Sequence, residues 1–408
     1  MVSRPSALPR GVWSPETNAQ RQVTLDDGAV SKAILTLPPA HAFRRDVLAY
    51  CTLRNLIPHP QLVPLHPDEE ERQGAASSEA SASSSIYDVS EVEQISIKHW
   101  QLDDGNCRAM CYALPLSTKV RSVCLFNVGL NKEQLQLLCT TIPQTHVTAL
   151  QLEWNSLNSA EVAKESSAFE GQKHELNMQE DLQSGGKEDS SEMFAQLLSE
   201  GSALIFLSLR ANGITSRGAV AIAKAVRHNK TLEALNLFQN SIGDAGARAF
   251  AHALPLNTTL KTLSLANNKI SGRGAKILVD GLTKYAAPPE LLAELDAAES
   301  QIHAQLDQAK KARKKIDRAM VIAQLGLPLL ETVDGVQYAP GNSTLEELLL
   351  SGNAQIGPKD VESVSEALEV FQPKLQTHLR CIKLQRLPKL HQHKVQESHH
   401  HVSEFIKL

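Results

Sequence analysis

One pattern recurs at a fixed interval in this 408-residue chain and limits the folds that it can adopt. Written Leu-x-x-Leu-x-Leu-x-x-Asn-x-Ile, it begins at Leu204, Leu232 and Leu260, which are 28 residues apart. In each copy the three leucines fit a short strand, the Asn follows where the chain turns, and the Ile returns to the core. A period of about 20 to 50 residues predicts stacked copies of one supersecondary unit.

The second half of each unit has the pattern of a helix. Ala219, Ile222, Ala223 and Val226 lie at positions i, i+3, i+4 and i+7, which places them on one buried helical face. Gly218, near the start of this helix, lets the helix and the strand backbones approach closely. A strand followed by a full helix in each unit predicts an α/β solenoid.

Further copies of the pattern extend the array in both directions. They begin at Val92, Val120 and Val147 upstream and at Leu345 downstream. Trp100 and Val128 replace the Asn in the first two of these units. We therefore predict about seven repeats in a horseshoe, with parallel strands on the concave face, helices on the convex face and a long helical insertion.

The repeated Asn is predicted to be structural. A buried side-chain amide can satisfy backbone groups at a turn that no neighbouring strand reaches. The residues assigned this role are Asn155, Asn212, Asn240, Asn268 and Asn353.

The run Leu-Asn-Leu-Phe-Gln-Asn-Ser-Ile-Gly-Asp-Ala-Gly-Ala from Leu235 resembles leucine-rich repeats of the ribonuclease-inhibitor type. The resemblance covers roughly residues 90–282 and 343–371. The repeats up to Leu282, followed by a long charged helix, are also similar to leucine-rich repeat proteins of motile cilia. This resemblance implies that the partners are other proteins, with axonemal or microtubule-associated proteins as candidates. It also implies that the protein is cytoplasmic and lies in the axoneme of a cilium or flagellum.

Composition shifts suggest the domain organisation. Residues 1–90 are predicted to be extended or partly disordered, with only 43–57 suited to a short helix. The repeats follow at 91–282, interrupted by an acidic loop insertion at 159–190. The remaining segments are a charged helical insertion at 283–342, a last repeat at 343–371, and a C-terminal cap with a His-rich tail at 372–408.

The second insertion is predicted to be one helix over residues 289–325, about 50 Å long at 1.5 Å per residue. Its basic end suits an acidic partner surface and contains Lys310, Lys311, Arg313, Lys314 and Lys315. The alternative is that this helix folds back on the repeats and that its charges are simply solvated.

The strands predict a second binding surface, because side chains between the leucines point to the concave face and stack from repeat to repeat. The candidate protein-binding residues there are His99, Phe126, Trp154, Arg210 and Phe238. Aromatic residues and Arg dominate the binding energy of many interfaces. The alternative is that the N-terminal segment or an insertion covers them.

The sequence contains no motif for a phosphate loop, an activated nucleophile or a metal-dependent hydrolase, so we expect no enzyme, catalytic residue or cofactor. Cys107 and Cys111 with His99 could be imagined as metal ligands, but Cys at this spacing more often fills a core, and no metal is expected. A net charge of −4 gives no general attraction to nucleic acid or membrane. The absence of a signal-like or membrane-spanning segment, with six cysteines and no Cys-x-x-Cys pair, favours a soluble protein of a reducing compartment.

Together these features predict a non-enzymatic scaffold for protein–protein interaction. One alternative stays open, since related repeats also build regulators of enzymes, such as a small-GTPase activator or an inhibitor. Those regulators usually carry many cysteines or a long acidic tail, whereas this chain ends in a segment rich in His and Lys.

Overall fold

A computed structural model describes the chain at residues 11–22, 32–66, 86–155, 189–287, 289–312, 315–370, 378–388 and 405–408. The chain divides into two compact units. Unit 1 comprises Met1–Lys173 and Gln196–Asn212, and unit 2 comprises His174–Ala195 and Gly213–Leu408. Among the described residues, no helix combines the length and the apolar composition needed to cross a bilayer.

Unit 1 contains a parallel sheet whose strands follow the predicted leucine register. In pairing order the strands are β1 (Gln94–Lys98), β2 (Ser122–Phe126), β3 (Ala149–Glu153) and β4 (Phe206–Ser208). One register position is occupied, strand by strand, by Ile95, Val123, Leu150 and Leu207, each at most 2% exposed. The prediction of an α/β fold with parallel strands is confirmed.

Polar side chains cap the starts of three of the four helices named here for unit 1, all except α2 (Phe43–Leu53). In chain order they are α1 (Pro15–Gln22), α2 (Phe43–Leu53), α3 (Asp104–Ala113) and α4 (Lys132–Thr141). Asn131 and Gln134 form a capping box at the start of α4, in which each side chain bonds to the other residue's backbone N–H. Such caps satisfy the N–H groups that have no partner within a helix.

The N-terminal part of unit 1 differs from the extended segment predicted for residues 1–90. Helix α1 was not anticipated, although Ser14 Oγ accepts the N–H of Thr17 at 3.1 Å and Pro15 occupies the first helical position. Helix α2 lies in the predicted range but ends at Leu53, four residues before the predicted limit at Ile57. A Ser-Pro pair ahead of a helical stretch was therefore an overlooked helix signal.

These N-terminal residues cover the first repeat. The side chain of Asn106 on α3 is fully buried, donates to Ile57 O at 3.1 Å and accepts the N–H of His59 at 2.8 Å. Helix α2 packs on α3, with the rings of Tyr50 and Tyr112 5.4 Å apart. The layer supplies the polar cover that the end of a repeat array needs.

Unit 2 contains a parallel sheet and a small antiparallel sheet. Its strands are β5 (Ala234–Asn236), β6 (Thr262–Ser264), β7 (Lys284–Ala286), β8 (Glu331–Val333), β9 (Val336–Pro340), β10 (Glu347–Leu349), β11 (Cys381–Lys383) and β12 (Ile406–Lys407). The parallel sheet has the order β5-β6-β10-β11-β12, and the antiparallel sheet has the order β7-β9-β8. Because β10 pairs directly with β6, the array continues past the second insertion.

Strands β11 and β12 correct the prediction that residues 372–408 form only a cap and a tail. Ile382 pairs in register with Leu348 on one side and with Ile406 on the other. The pattern Leu379-x-x-Ile382-x-Leu384 has the leucine spacing of the other repeats. The parallel sheet therefore continues beyond the last predicted repeat.

The helices of unit 2 pack closely on one another. They are α5 (Ser216–His228), α6 (Gly243–Ala253), α7 (Gly272–Leu282), α8 (Pro289–Lys311), α9 (Arg318–Gln324) and α10 (Pro358–Val370). At Gly246 an added Cβ would lie 2.3 Å from Ile242 Cγ2 and 2.8 Å from the Cβ of Ala219 on α5. The glycine is required because the backbone of α6 approaches α5 at this point.

The second insertion differs from the single helix predicted over residues 289–325. Helix α8 ends at Lys311, and α9 begins at Arg318 behind the capping side chain of Asp317. Lys311 and Lys315 are four residues apart in sequence, and like charges at that spacing destabilise a helix. The repulsion within the basic run and the cap at Asp317 together explain the break.

The two insertion helices pack against each other. Ile302 of α8 forms a buried cluster with Val321 and Ile322 of α9. The guanidinium group of Arg318 donates two hydrogen bonds of 2.7 Å to the carboxylate of Glu299. The insertion therefore has a hydrophobic core of its own.

The insertion is attached to the repeats at both of its ends. Gly341 N donates to Thr283 O at 2.8 Å, so the chain leaves and rejoins the array at one place. Farther along α8, Glu294 forms an ion pair with Arg227 of α5. These contacts hold the start of α8 against the helices of unit 2, as the folded-back alternative requires.

Candidate protein-binding surface

The predicted structural asparagines of unit 1, Asn155 and Asn212, lie at the turns after β3 and β4 and are buried. Asn155 Nδ2 donates to Leu125 O on the preceding strand at 2.9 Å, and its Oδ1 accepts the N–H of Val128 at 3.1 Å. Asn155 N in turn donates to Asn212 Oδ1 at 2.8 Å, so the amides form a chain from repeat to repeat. The backbone groups at these turns are satisfied by side chains.

Unit 2 has the same arrangement. Asn240 N donates to Asn268 Oδ1 at 3.1 Å, and Asn268 N donates to Asn353 Oδ1 at 2.7 Å. Asn268 Nδ2 also donates to Leu237 O, on the strand before its own, at 2.8 Å. All three amides are at most 6% exposed, so they serve the fold and are not available to a partner.

A second row of asparagines, at the entry to the strands, was missed by sequence reasoning. Asn257 Nδ2 donates to Val226 O at 2.7 Å, and its Oδ1 accepts the N–H of Leu260 at 2.7 Å. Asn342 makes the corresponding bonds one repeat later, to Leu254 O and from Leu345 N. The signal was an Asn-x-Thr-Leu sequence at the start of each of these repeats.

A residue that follows each of these strands by one or three positions has a left-handed backbone, and the prediction of a strand-like alternation did not include this turn. The value of φ lies between +49° and +74° at His99, Asn127, Trp154, Ala211, Gln239, Asn267 and Gly352. Residues other than Gly, Asn and Asp rarely adopt this backbone conformation, and a residue with a bulky side chain is strained in it. The turn therefore sets the direction of these side chains.

Four of the predicted protein-binding residues lie together on unit 1. The ring centroids of His99 and Phe126 are 4.8 Å apart, and those of Phe126 and Trp154 are 6.4 Å apart. The Arg210 guanidinium lies 5.9 Å from the Trp154 ring centroid, within the range of a cation–π contact. We call His99, Phe126, Trp154 and Arg210 the aromatic row.

The aromatic row is accessible. Trp154 is 40% exposed, His99 is exposed, and Phe126 and Arg210 are half-buried. Lys98 and Glu153 lie in the same register as Phe126 on the strands to either side of it. The Glu153 carboxylate accepts a hydrogen bond of 2.6 Å from Ser208 Oγ.

The N-terminal segment reaches a neighbouring aromatic cluster. Trp13 packs edge-on against His59 and Trp100, at centroid distances of 4.4 and 5.7 Å, and its indole N–H donates to Asp103 at 2.9 Å. Burial lowers the pKa of His59 to about 4, although the Asp103 charge opposes this shift. Trp13 therefore packs against Trp100, which is outside the aromatic row, and Trp154 is 40% exposed in its presence.

The other predicted binding residues belong to unit 2. Phe238 is half-buried on the turn after β5. Lys310, Lys311 and Lys315 are exposed around the connection between α8 and α9. Arg313 and Lys314 lie outside the described residues.

The strand entries of unit 2 carry charges that pair with one another. Lys261 lies between Glu233 and Glu346 in the register, and its Nζ is 2.8 Å from the Glu233 carboxylate. Arg380 approaches Glu346 at 3.0 Å on the next repeat. At this register position unit 1 has the charged Glu93 and Arg121, followed by Thr148 and the 46% exposed Ile205.

The cysteines are core residues. All six are free and buried. The hydrogen bond with Cys111, followed by burial, holds the pKa of the Cys107 thiol well above its usual range, so the Cys107 thiol stays protonated and poorly reactive. Within the described ranges, no group of three or more His, Cys, Asp or Glu side chains is placed to hold a metal ion.

Comparison with known protein families identifies part of the array. Residues 228–251, 256–279 and 341–365 match the family model described as Leucine Rich repeat. These segments coincide with the repeats of β5, β6 and β10, including the one that follows the second insertion. A search of curated proteins found no match to this chain. The chain therefore carries leucine-rich repeats, a class that generally binds other proteins, in these three segments.

Proposed function

We propose that this chain is a non-enzymatic protein-binding scaffold and that a partner protein lies on the aromatic row of unit 1. The supporting observation is the exposed Trp154 beside Phe126 and Arg210. Trp and Arg are the residue types most enriched at binding hot spots. The backbone that carries them is held in place by the buried amides of Asn155 and Asn212.

We propose further that the repeats are of the ribonuclease-inhibitor type, about seven in a horseshoe, and that the scaffold belongs to a cytoskeletal assembly such as a ciliary or flagellar axoneme. This part rests on the sequence resemblance. The exposed Lys310, Lys311 and Lys315 support a second contact with an acidic partner surface.

The partner-binding proposal is tested by affinity purification of the full-length tagged chain and of Trp154→Asn, with the bound proteins identified and quantified. Two other repeats have Asn at this turn position, namely Asn127 and Asn267, so Asn is compatible with the left-handed backbone there. Specific proteins should be depleted at least fivefold on the variant. An unchanged set of bound proteins would remove the aromatic row from the proposal.

The axonemal part needs a separate experiment. A fluorescently tagged chain expressed in ciliated cells should stay on the axoneme after detergent extraction. A diffuse signal that detergent washes out would contradict this part and leave the binding proposal intact.

A further inference from the structure

We infer that the aromatic row binds a proline-rich segment of a partner protein in the extended polyproline II conformation. The inference rests on the proposed function and adds the chemistry and the conformation of the bound segment. Four features of the row support it, namely the strained and exposed indole of Trp154, the engaged charges beside it, the spacing of the rings, and the indole N–H group.

Trp154 has a left-handed backbone, with φ at +57°. Most other repeats place a small or polar residue at this position, namely Asn127, Ala211, Gln239, Asn267 and Gly352. A bulky aromatic residue adopts this conformation at an energetic cost, and burial does not offset the cost, since Trp154 is 40% exposed. Residues that combine backbone strain with exposure are concentrated at binding sites.

The charged groups next to the indole are engaged within unit 1. Arg210 lies 5.9 Å from the ring centroid of Trp154 and next to Glu153 in the strand register. The Glu153 carboxylate accepts a hydrogen bond of 2.6 Å from Ser208 Oγ. Neither charge is therefore left to select a charged partner segment, and the groups that the row offers are its aromatic rings.

The spacing of the rings fits a polyproline II helix. His99, Phe126 and Trp154 lie at the ends of three neighbouring strands, and the outer two strands are about 10 Å apart at about 4.8 Å per strand. Residues three apart in polyproline II share one face and are about 9 Å apart. In an extended β-strand one face recurs about every 7 Å, which fits less well. Two prolines three positions apart can therefore cover the two outer rings.

The indole N–H of Trp154 favours the same conformation. Trp13 donates its indole N–H to Asp103 at 2.9 Å, whereas that of Trp154 has no acceptor among the residues that the structure describes. The carbonyl groups of polyproline II make no internal hydrogen bonds, so they can accept this N–H. An α-helix also places residues about 10 Å apart, at seven positions, but its carbonyl groups are already bonded within the helix.

The backbone behind the rings is fixed. Trp154 N donates to Arg210 O at 3.0 Å, and His99 N donates to Phe126 O at 2.9 Å. A fixed surface and a segment that is already extended both lose little conformational entropy on binding. Grooves lined by aromatic residues bind proline-rich segments for this reason.

The test is a selection of random peptides displayed on phage, with the full-length chain as bait and Trp154→Asn selected in parallel. Enriched peptides should carry two prolines three positions apart, and the variant should not enrich them. A synthetic peptide of the consensus should bind Trp154→Asn at least about tenfold more weakly than the wild type. Replacing both prolines of the peptide by Ala should also weaken binding, whereas the same change would favour the binding of an α-helix.

Trp154→Phe tests the indole N–H separately, because this variant keeps an aromatic ring and removes the donor. Its affinity for the consensus peptide should fall about fivefold, which is the usual contribution of one hydrogen bond. Equal affinities of Trp154→Phe and the wild type would contradict the hydrogen bond to an extended segment and would overturn the inference.

A matched variant and two further measurements serve as controls. Gln239→Asn makes the corresponding change at the same turn position of unit 2 and should leave the affinity for the peptide unchanged. The thermal unfolding midpoint of Trp154→Asn should equal or exceed that of the wild type, since Asn tolerates the left-handed turn. Salt should change the affinity little, because no ion pair contributes to it.

The possible outcomes separate this inference from the proposed function. Enriched peptides that need Trp154 but lack the two prolines would overturn the inference and keep the proposed function. A selection in which no peptide needs Trp154 would also overturn the inference, and the purification of bound proteins with Trp154→Asn would then decide the proposed function.

Discussion

The strand faces of unit 1 and unit 2 share one backbone plan and carry different side chains. In both units a buried Asn amide links neighbouring turns, and the residue just before that Asn has a left-handed backbone. On this plan unit 1 exposes Trp154 beside Arg210, while unit 2 has the buried Ala266 and the ion-paired Lys261. The shared plan sets the positions of the side chains, and the side chains differ: unit 1 presents an exposed indole, and unit 2 presents paired charges.

The largest expected effect on stability comes from removing a buried amide of the shared plan. In Asn268→Ala three hydrogen bonds of the buried amide are lost, two donated by Nδ2 to Leu237 O and Ala266 O and one accepted from Asn240 N. At about 1 kcal/mol for each bond, the free energy of unfolding should fall by about 3 kcal/mol. Urea unfolding followed by circular dichroism measures this change.

The adjacent residue supplies the control. Asn267 is exposed with φ at +54°, a conformation that glycine adopts freely, so Asn267→Gly should change stability by less than about 0.5 kcal/mol. Equal effects of the two variants would show that the buried amides are not what holds the frame.

A prediction specific to unit 1 concerns pH. Burial lowers the pKa of His59 to about 4, below its ordinary value of 6.5, so the neutral ring is favoured in the folded unit 1. The contribution to stability is complete above pH 6.5 and is lost as the pH falls toward 4, to a limit of about 3 kcal/mol. The free energy of unfolding should therefore fall more steeply over this range in the wild type than in His59→Asn.

Asn is chosen because its side-chain oxygen can replace His59 Nδ1, which accepts the N–H of Gln61 at 3.1 Å. Carboxylates elsewhere titrate equally in both proteins, so the difference between the two pH profiles reports His59. Parallel profiles would show that this ring is not the source of acid sensitivity in unit 1.

The repeats could be predicted from the sequence because their signals are local and periodic. The leucines of β5 and β6 and the amides of Asn240 and Asn268 occupy the places that the 28-residue register assigns. The left-handed turn was missed because a period of two residues was carried past the end of each strand. Strand β11 was missed because Leu387 stands in the Asn place of its repeat.

Contacts between distant segments could not be read from the sequence. Trp13 and Asp103 are 90 residues apart, and nothing in either segment indicates the hydrogen bond between them. The cluster of Ile302 with Val321 depends likewise on where α8 ends. At the candidate site, the sequence placed Trp154 and Arg210 on one face, and the structure adds the distance of 5.9 Å between the guanidinium and the indole.

The left-handed turn itself predicts a moderate effect that should be alike in both units. Ala211→Gly in unit 1 and Gln239→Gly in unit 2 relieve φ values of +55° and +59°, and each should raise the free energy of unfolding by about 1 kcal/mol. Ala225→Gly, within helix α5, is the control of opposite sign and should lower it by about 1 kcal/mol. Destabilisation by both turn variants would show that the turns are not strained.

The charged pairs of unit 2 should have the smallest effect. Lys261 and Glu233 are 49% and 46% exposed in their side chains, so water screens the pair and its geometry costs side-chain entropy. Lys261→Met should lower the free energy of unfolding by less than about 0.5 kcal/mol, and high salt should remove the difference. Urea unfolding at low and at high salt measures both.

If Lys261→Met lowered the free energy of unfolding by more than about 2 kcal/mol, the charged pair would be needed for the stability of unit 2. The units would then differ in what stabilises them. A small loss of unfolding free energy would mean that the paired charges mainly affect which partner segments can bind. Because Lys261 and Glu233 satisfy each other, a charged partner segment gains little by replacing one of them. At the corresponding positions unit 1 has Glu93 and Arg121 on its first two strands, and the uncharged Thr148 and Ile205 on the two strands that carry Trp154 and Arg210.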